Sequence, residues 1–182
     1  MSLIGNIEAD IVAHLAAALT LNGQSSPQVD VQAWPQRPKD YRMSHPIGAA
    51  LVIYNGADYK DSETSTGMHA LLNVKFELNL MARNLRESAE INGLSDLGMY
   101  AFLEACRNAL MGWQPPLAAG AIAIKSDGFE DYHEGVWQYS MKFTLPVVVV
   151  GNNNIGSMFG ADVAFGSNPP PISQLIFDPL VI

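Results

Sequence analysis

Thiol chemistry is nearly absent from this sequence: one cysteine, Cys106, stands among 182 residues, so no disulfide can form within the chain. That scarcity fits a reducing compartment. Long apolar runs are absent too. A membrane helix needs about 18 consecutive apolar residues, whereas Leu145–Val150 is only strand-sized and contains Pro146. The opening stretch carries Glu8 and Asp10 and no basic leader, so it is not expected to act as a secretory signal. Positive charge is also scarce, with 10 Lys and Arg against 18 Asp and Glu and a net charge of −8. The closest basic cluster in sequence is Arg37, Lys39 and Arg42. Tight binding to nucleic acid through phosphate contacts is therefore disfavoured.

Catalytic signatures are missing as well. The histidines His14, His45, His69 and His133 form no HxH, HExxH or His/Cys cluster, and no GxGxxG, P-loop lysine or GxSxG sequence occurs. Gly151 to Gly156 is rich in Gly and Asn, but no lysine follows it to complete a phosphate cradle. Asp127, Glu130, Asp131 and Glu134 lie close together without the spacing of a calcium loop, and are read as a solvated turn between two strands. Cys106 sits in a helical pattern and is read as a small core residue. No catalytic residue, metal ligand or cofactor is expected.

What the chain does have is strong periodicity. Ile4, Ile7, Ile11, Leu15 and Leu19 recur at steps of three and four, predicting an amphipathic helix over Ser2 to Leu19 with Ser2 as N-cap and Asn22-Gly23 as its stop. Gln28 to Trp34 alternates like a short strand, and Ala49 to Tyr54 reads as an apolar strand ending at an Asn55-Gly56 turn. From Leu71 to Arg83, Leu72, Val74, Phe76, Leu78 and Leu80 oppose Asn73, Lys75, Glu77 and Asn79, a period of two that puts one face on a core. Trp137, Tyr139, Met141, Phe143 and Leu145 oppose Gln138, Ser140, Lys142 and Thr144 in the same way. Between these strands, Leu94 to Met111 predicts a second helix, capped by Ser95 and striped with Met99, Phe102, Leu103, Cys106 and Leu110. Ala121 to Lys125 reads as one more short strand. The expected fold is α/β of the α+β kind, a mostly antiparallel sheet with two main helices on its apolar face.

After Gly151 the composition changes. Residues 151–182 are rich in Gly, Asn and Pro, yet carry Met158, Phe159, Phe165, Leu175, Ile176, Phe177, Leu180, Val181 and Ile182. A solvated tail has no need of so many large apolar groups. The expected organisation is thus a domain over 1–150 and an extended, docking C-terminal arm over 151–182. Candidate contact residues are Trp34, Pro35, Tyr41 and His45 on the proline-rich stretch, and Phe159, Phe165 and Phe177 on the arm.

These pieces, in order, carry a resemblance. The opening amphipathic helix is followed by Trp34-Pro35 with Pro38 and Tyr41, then His45-Pro46-Ile47-Gly48-Ala49 and Tyr54-Asn55-Gly56. Next come the strand Phe76 to Arg83 and the helical Arg107-Asn108-Ala109-Leu110-Met111-Gly112, and last Glu134-Gly135-Val136-Trp137-Gln138-Tyr139. Over roughly Ile4 to Val149 the sequence resembles the Mu-like prophage tail terminator family, which is similar in fold to the tail terminator of phage lambda. The resemblance implies a virion subunit, assembled in the host cytoplasm, that forms a homohexameric ring at the head-proximal end of the phage tail tube. Its implied partners are the tail tube protein and a head-completion or neck protein. Genomic DNA would pass through the ring without specific binding, helped by an acidic subunit. Two other readings stay open: a head–tail connector or neck protein, and a small-ligand binding module built around His133 and Asp127 to Glu134.

Overall fold

The computed structural model describes residues 2–20, 27, 29–35, 41, 43, 45–60, 69–85, 88–91, 94–96 and 98–150. The arm expected over 151–182, with Phe159, Phe165 and Phe177, lies outside the described residues, as does the Asn22-Gly23 stop. In chain order the elements are α1 (Leu3–Ala18), β1 (Asp30–Ala33), β2 (Gly48–Tyr59), β3 (His69–Ala82), β4 (Ser88–Ile91), β5 (Leu94–Asp96), α2 (Met99–Leu110), β6 (Ala123–His133) and β7 (Val136–Val150). The main sheet runs β1-β2-β3-β7-β6. Strand β1 is parallel to β2 and every other neighbouring pair is antiparallel, so the chain is α+β with a mixed sheet.

The alternating strands behave as their period demands. Strands β3 and β7 pair without interruption from His69 opposite Val150 to Ala82 opposite Trp137. Leu72, Val74, Phe76, Leu78, Leu80, Met141, Phe143, Leu145 and Val147 are all buried on the inner face. There the Phe76 and Phe143 rings stack with centroids 5.9 Å apart. Each such side chain contributes about 1.5–3 kcal/mol by leaving water.

Both helices seal this face. In α1, Ile7, Ile11 and Leu15 are fully buried, and the Ser2 hydroxyl accepts the Gly5 N–H at 3.1 Å. Glu8 and Asp10 lie beyond the first turn, too far in to meet its free N–H groups. In α2, Met99, Phe102, Cys106 and Leu110 are fully buried. The helices are clasped where His14 stacks on Trp113, with centroids 3.9 Å apart and planes 1° from parallel. His14 Nε2 also lies 2.9 Å from the Ala109 carbonyl oxygen.

Three boundaries depart from expectation. The Asn55-Gly56 pair does not end its strand. Strand β2 continues to Tyr59, and Tyr54 faces Phe76 while Ala57 faces Val74, so one extra residue is absorbed in a bulge. Gly56 takes φ +97°, a conformation that a side chain resists. The second helix starts at Met99 rather than Leu94, because residues 94–96 pair with 88–91 as a hairpin and Ser95 belongs to β5. Gly98 offers no side-chain cap; the first N–H groups bond instead to backbone, Met99 to Asn84 O at 2.9 Å and Tyr100 to Leu85 O at 3.4 Å. Finally, Asp127 to His133 is not a turn but the outer half of β6, which pairs with β7 up to His133 opposite Val136. The turn is Glu134-Gly135 alone, with φ of 50° and 78°, as a two-residue hairpin loop requires.

Cys106 is fully buried, and that burial pushes its thiol well above the ordinary value. The reactive thiolate is therefore suppressed. Native protein at pH about 8 should resist alkylation by iodoacetamide, with one adduct per chain appearing only after denaturation. Rapid labelling of the folded protein, read by mass spectrometry, would contradict this core assignment.

Candidate protein–protein interface

The outer face of the sheet is mainly polar, and the candidate contact residues near the proline-rich stretch close one end of it. Trp34, Tyr41 and Met43 lie over a small apolar cluster of Ala49, Leu51 and Met81. The Trp34 N–H donates to Val52 O at 2.8 Å, holding its chain against β2 as that strand ends its apolar run. Tyr41 sits by Asp30, whose carboxylate also accepts the Gln32 side-chain amide at 2.9 Å. Burial first, and then the Asp30 charge, push the Tyr41 phenol above its ordinary value. Pro35 is half-buried. His45 is engaged locally, its Nδ1 accepting the Ile47 N–H at 3.3 Å. Tyr41 joins Arg83, His133, Glu134 and Gln138 along an open groove of about 520 Å³. The fold thus brings Tyr41 to His133 and Glu134, which sequence separates by some ninety residues, but it leaves His45 outside that groove.

The acidic stretch is dispersed rather than convergent. Asp127 turns to the helix side and pairs with Arg107 at 2.7 Å. Glu130 accepts the Ser140 hydroxyl. Asp131 accepts the following N–H of Tyr132 at 2.7 Å, and Glu134 lies 3.5 Å from His133 Nε2. Among the described residues, no three His, Cys, Asp or Glu side chains converge as a metal site would require. A bulge between Phe129 and Asp131 makes Glu130 the extra residue, which explains why the stretch shows no clean period of two.

On the inner side of the same hairpin lies a cluster of aromatics beyond the cover of α2. Phe129 meets Trp137 and Tyr139, with centroids 6.0 and 5.6 Å away. Tyr132 meets Trp137 at 4.6 Å, and Tyr100 of α2 meets Tyr139 at 6.4 Å. Phe129 and Tyr132 are each 53% exposed, and Tyr100 is 50% exposed. Trp137 and Tyr139 were expected in the core from their strand spacing. They do pack against the core, but at its margin and only half-buried, and they form the base of this cluster, because α2 ends its cover at Tyr100.

A second feature lies mid-sheet on the outer face. Lys75, Lys125 and Lys142 line a depression of about 330 Å³ with Asp58, Asn55 and Thr144. Lys125 reaches it because a bulge between Ile124 and Ser126 makes it the extra residue of β6. Lys75 pairs with Asp58 at 2.7 Å, both largely exposed.

Comparison with known proteins settles the family. Residues 18–157 match the model of the Gp37 protein family. The chain belongs to that family. No curated protein matches it. Among solved structures, this Gp37-family chain is similar to one chain in the virion of a native gene transfer agent particle. That likeness is 15% identical, covers 81% of this chain and 98% of the other, and has a TM-score of 0.46.

Sequence reasoning over this Gp37-family chain missed Tyr100, Phe129 and Tyr132 and the meeting of the three lysines. Phe129 and Tyr132 are three apart on a bulged strand, so no period-two test joins them, and Tyr100 is on another element. The half-exposed cluster should contribute less per ring to folding than the core does. Replacing Phe129 and Tyr132 together with Ser should cost about 1.5–3 kcal/mol, or roughly 1 kcal/mol per ring, whereas Phe143→Ala alone should cost about 3–5 kcal/mol. Urea unfolding of the two variants checks the contrast, and equal losses would mean that the hairpin is part of the core.

Proposed function

We propose that this chain is a structural virion protein: a tail terminator subunit that closes into a ring at the head-proximal end of a phage tail tube, stops tube polymerisation and offers the head-joining surface. The observation that carries this reading is the β6–β7 hairpin, where Phe129 and Tyr132 rest on Trp137 and Tyr139 at the margin of the core and, with Tyr100, stay half in water. Contiguous exposed aromatic surface of this kind marks a surface meant for another protein. The resemblance to tail terminators supports the setting. In this reading the subunit is not an enzyme, residues 151–182 form the arm that fastens it to a neighbour, and DNA passes through without specific contacts. Trp34, Pro35, Tyr41 and His45 border the contact, and Phe159, Phe165 and Phe177 supply apolar anchors from the arm.

A second reading has one observation behind it, the groove where Tyr41, Arg83, His133 and Glu134 meet. As a ligand site it calls for loss of binding, without unfolding, on His133→Ala and Glu134→Gln.

Deleting the gene should yield overlong tails without heads in electron micrographs, and the Ser double variant of Phe129 and Tyr132 should reproduce that defect while remaining folded. Tails of normal length lacking heads would point to a connector instead. Normal, infectious particles would remove the virion role altogether.

A further inference from the structure

Two surfaces of opposite charge lie on separate parts of the sheet, and among the described residues neither is fully neutralised by ion pairs. The first is the groove holding Lys75, Lys125 and Lys142. Of only 10 Lys and Arg in a chain of net charge −8, the sheet gathers these three. Asp58 neutralises Lys75. Lys125 and Lys142 form no ion pair among the described residues. Glu77 stands opposite Lys142 in the register, yet its carboxylate accepts from Asn55 Nδ2 at 3.2 Å instead. The second surface is the rim of the β6–β7 hairpin. Asp131 is exposed and among the described residues accepts a backbone N–H alone, and the Glu134 side chain is 75% exposed beside His133.

We infer that the acidic rim of the β6–β7 hairpin, Asp131 and Glu134, docks in the Lys75–Lys125–Lys142 groove of a second copy of this chain, head to tail. The inference deepens the ring reading and rests on it. Charge complementarity selects the occupant. The two surfaces do not overlap: Glu134 and Lys142 are separated by a stretch of strand spanning roughly 25 Å at about 3.3 Å per residue. One copy can therefore give its hairpin to one neighbour while receiving another's in its groove. That is a heterologous contact, the kind that closes rings. The aromatics on the other side of the hairpin supply apolar area, so the ionic contact sets partner and register rather than carrying the whole affinity. A duplex is a poorer occupant, because the carboxylates of Asp58 and Glu77 sit among the lysines and would face its phosphates.

The test is charge reversal with exchange. One variant carries Lys125→Glu and Lys142→Glu, and the other carries Asp131→Lys and Glu134→Lys. All four positions are exposed, so circular dichroism should match the parent. Light scattering after size-exclusion chromatography should show each variant alone associating about a hundredfold or more weakly than the parent, since like charges then face each other. An equimolar mixture should recover assembly, because each variant's hairpin now complements the other's groove. Parent assembly should also weaken at about 0.5 M salt, where screening is strong. If the parent assembles and both variants assemble equally well alone, or the mixture fails to recover, the contact is wrong and the ring reading survives. A parent that never self-associates, even at tube ends, removes both. Loss of duplex DNA retention by the lysine variant with assembly intact would make the groove a phosphate site and overturn the contact.

Discussion

The uninterrupted antiparallel ladder between β3 and β7 is the interaction on which the rest of the molecule depends. It joins His69–Ala82 to Val136–Val150 without a register shift. Because side chains alternate across each strand, a one-residue slip of β3 would turn Phe76 and Leu78 into water and bring Lys75 and Glu77 under the helices, and a slip of β7 would do the same to Met141, Phe143 and Lys142. That penalty locks the pairing. It also defines the two faces: an inner face that needs α1 and α2, and an outer face left mostly polar.

The outer strands are held less strictly, and their irregularities carry the surface chemistry. The bulge in β2 lets Asn55 reach Glu77, and the first bulge in β6 brings Lys125 to Lys75 and Lys142. The second bulge in β6 sends Glu130 to Ser140 and separates the aromatic side of the hairpin from its acidic rim. Strand β6 is a sheet edge, and its charges and bulges discourage indiscriminate strand addition. The hairpin therefore suits a contact made by side chains rather than by an extra strand.

Close packing is satisfied around the core but not at the hairpin. Gly48 shows how tight the interior is: a methyl group there would overlap the Met81 carbonyl oxygen across the ladder, where neither side can swing aside. Tyr100, Phe129 and Tyr132, by contrast, keep about half their surface in water. A chain that fills its centre this closely and leaves aromatics on a projecting edge has its unmet apolar surface where another protein can reach it.

The periodic segments were legible in the sequence because their partners matter little to their pattern. The helical stripe of Ile7, Ile11 and Leu15 and the alternation of 71–83 and 136–150 report burial on one side, whatever lies there. Local residue types read alone misled at Asn55-Gly56, at Ser95 and over Asp127 to His133, because each could end an element but a neighbouring strand or backbone carbonyl decided otherwise. Amphipathic period and the α+β class were thus determined by sequence alone, since they follow from which side chains avoid water. The aromatic cluster and the lysine groove were decided only by tertiary structure. Both join residues from different elements through strand register and bulges, and no pattern along one segment encodes that proximity.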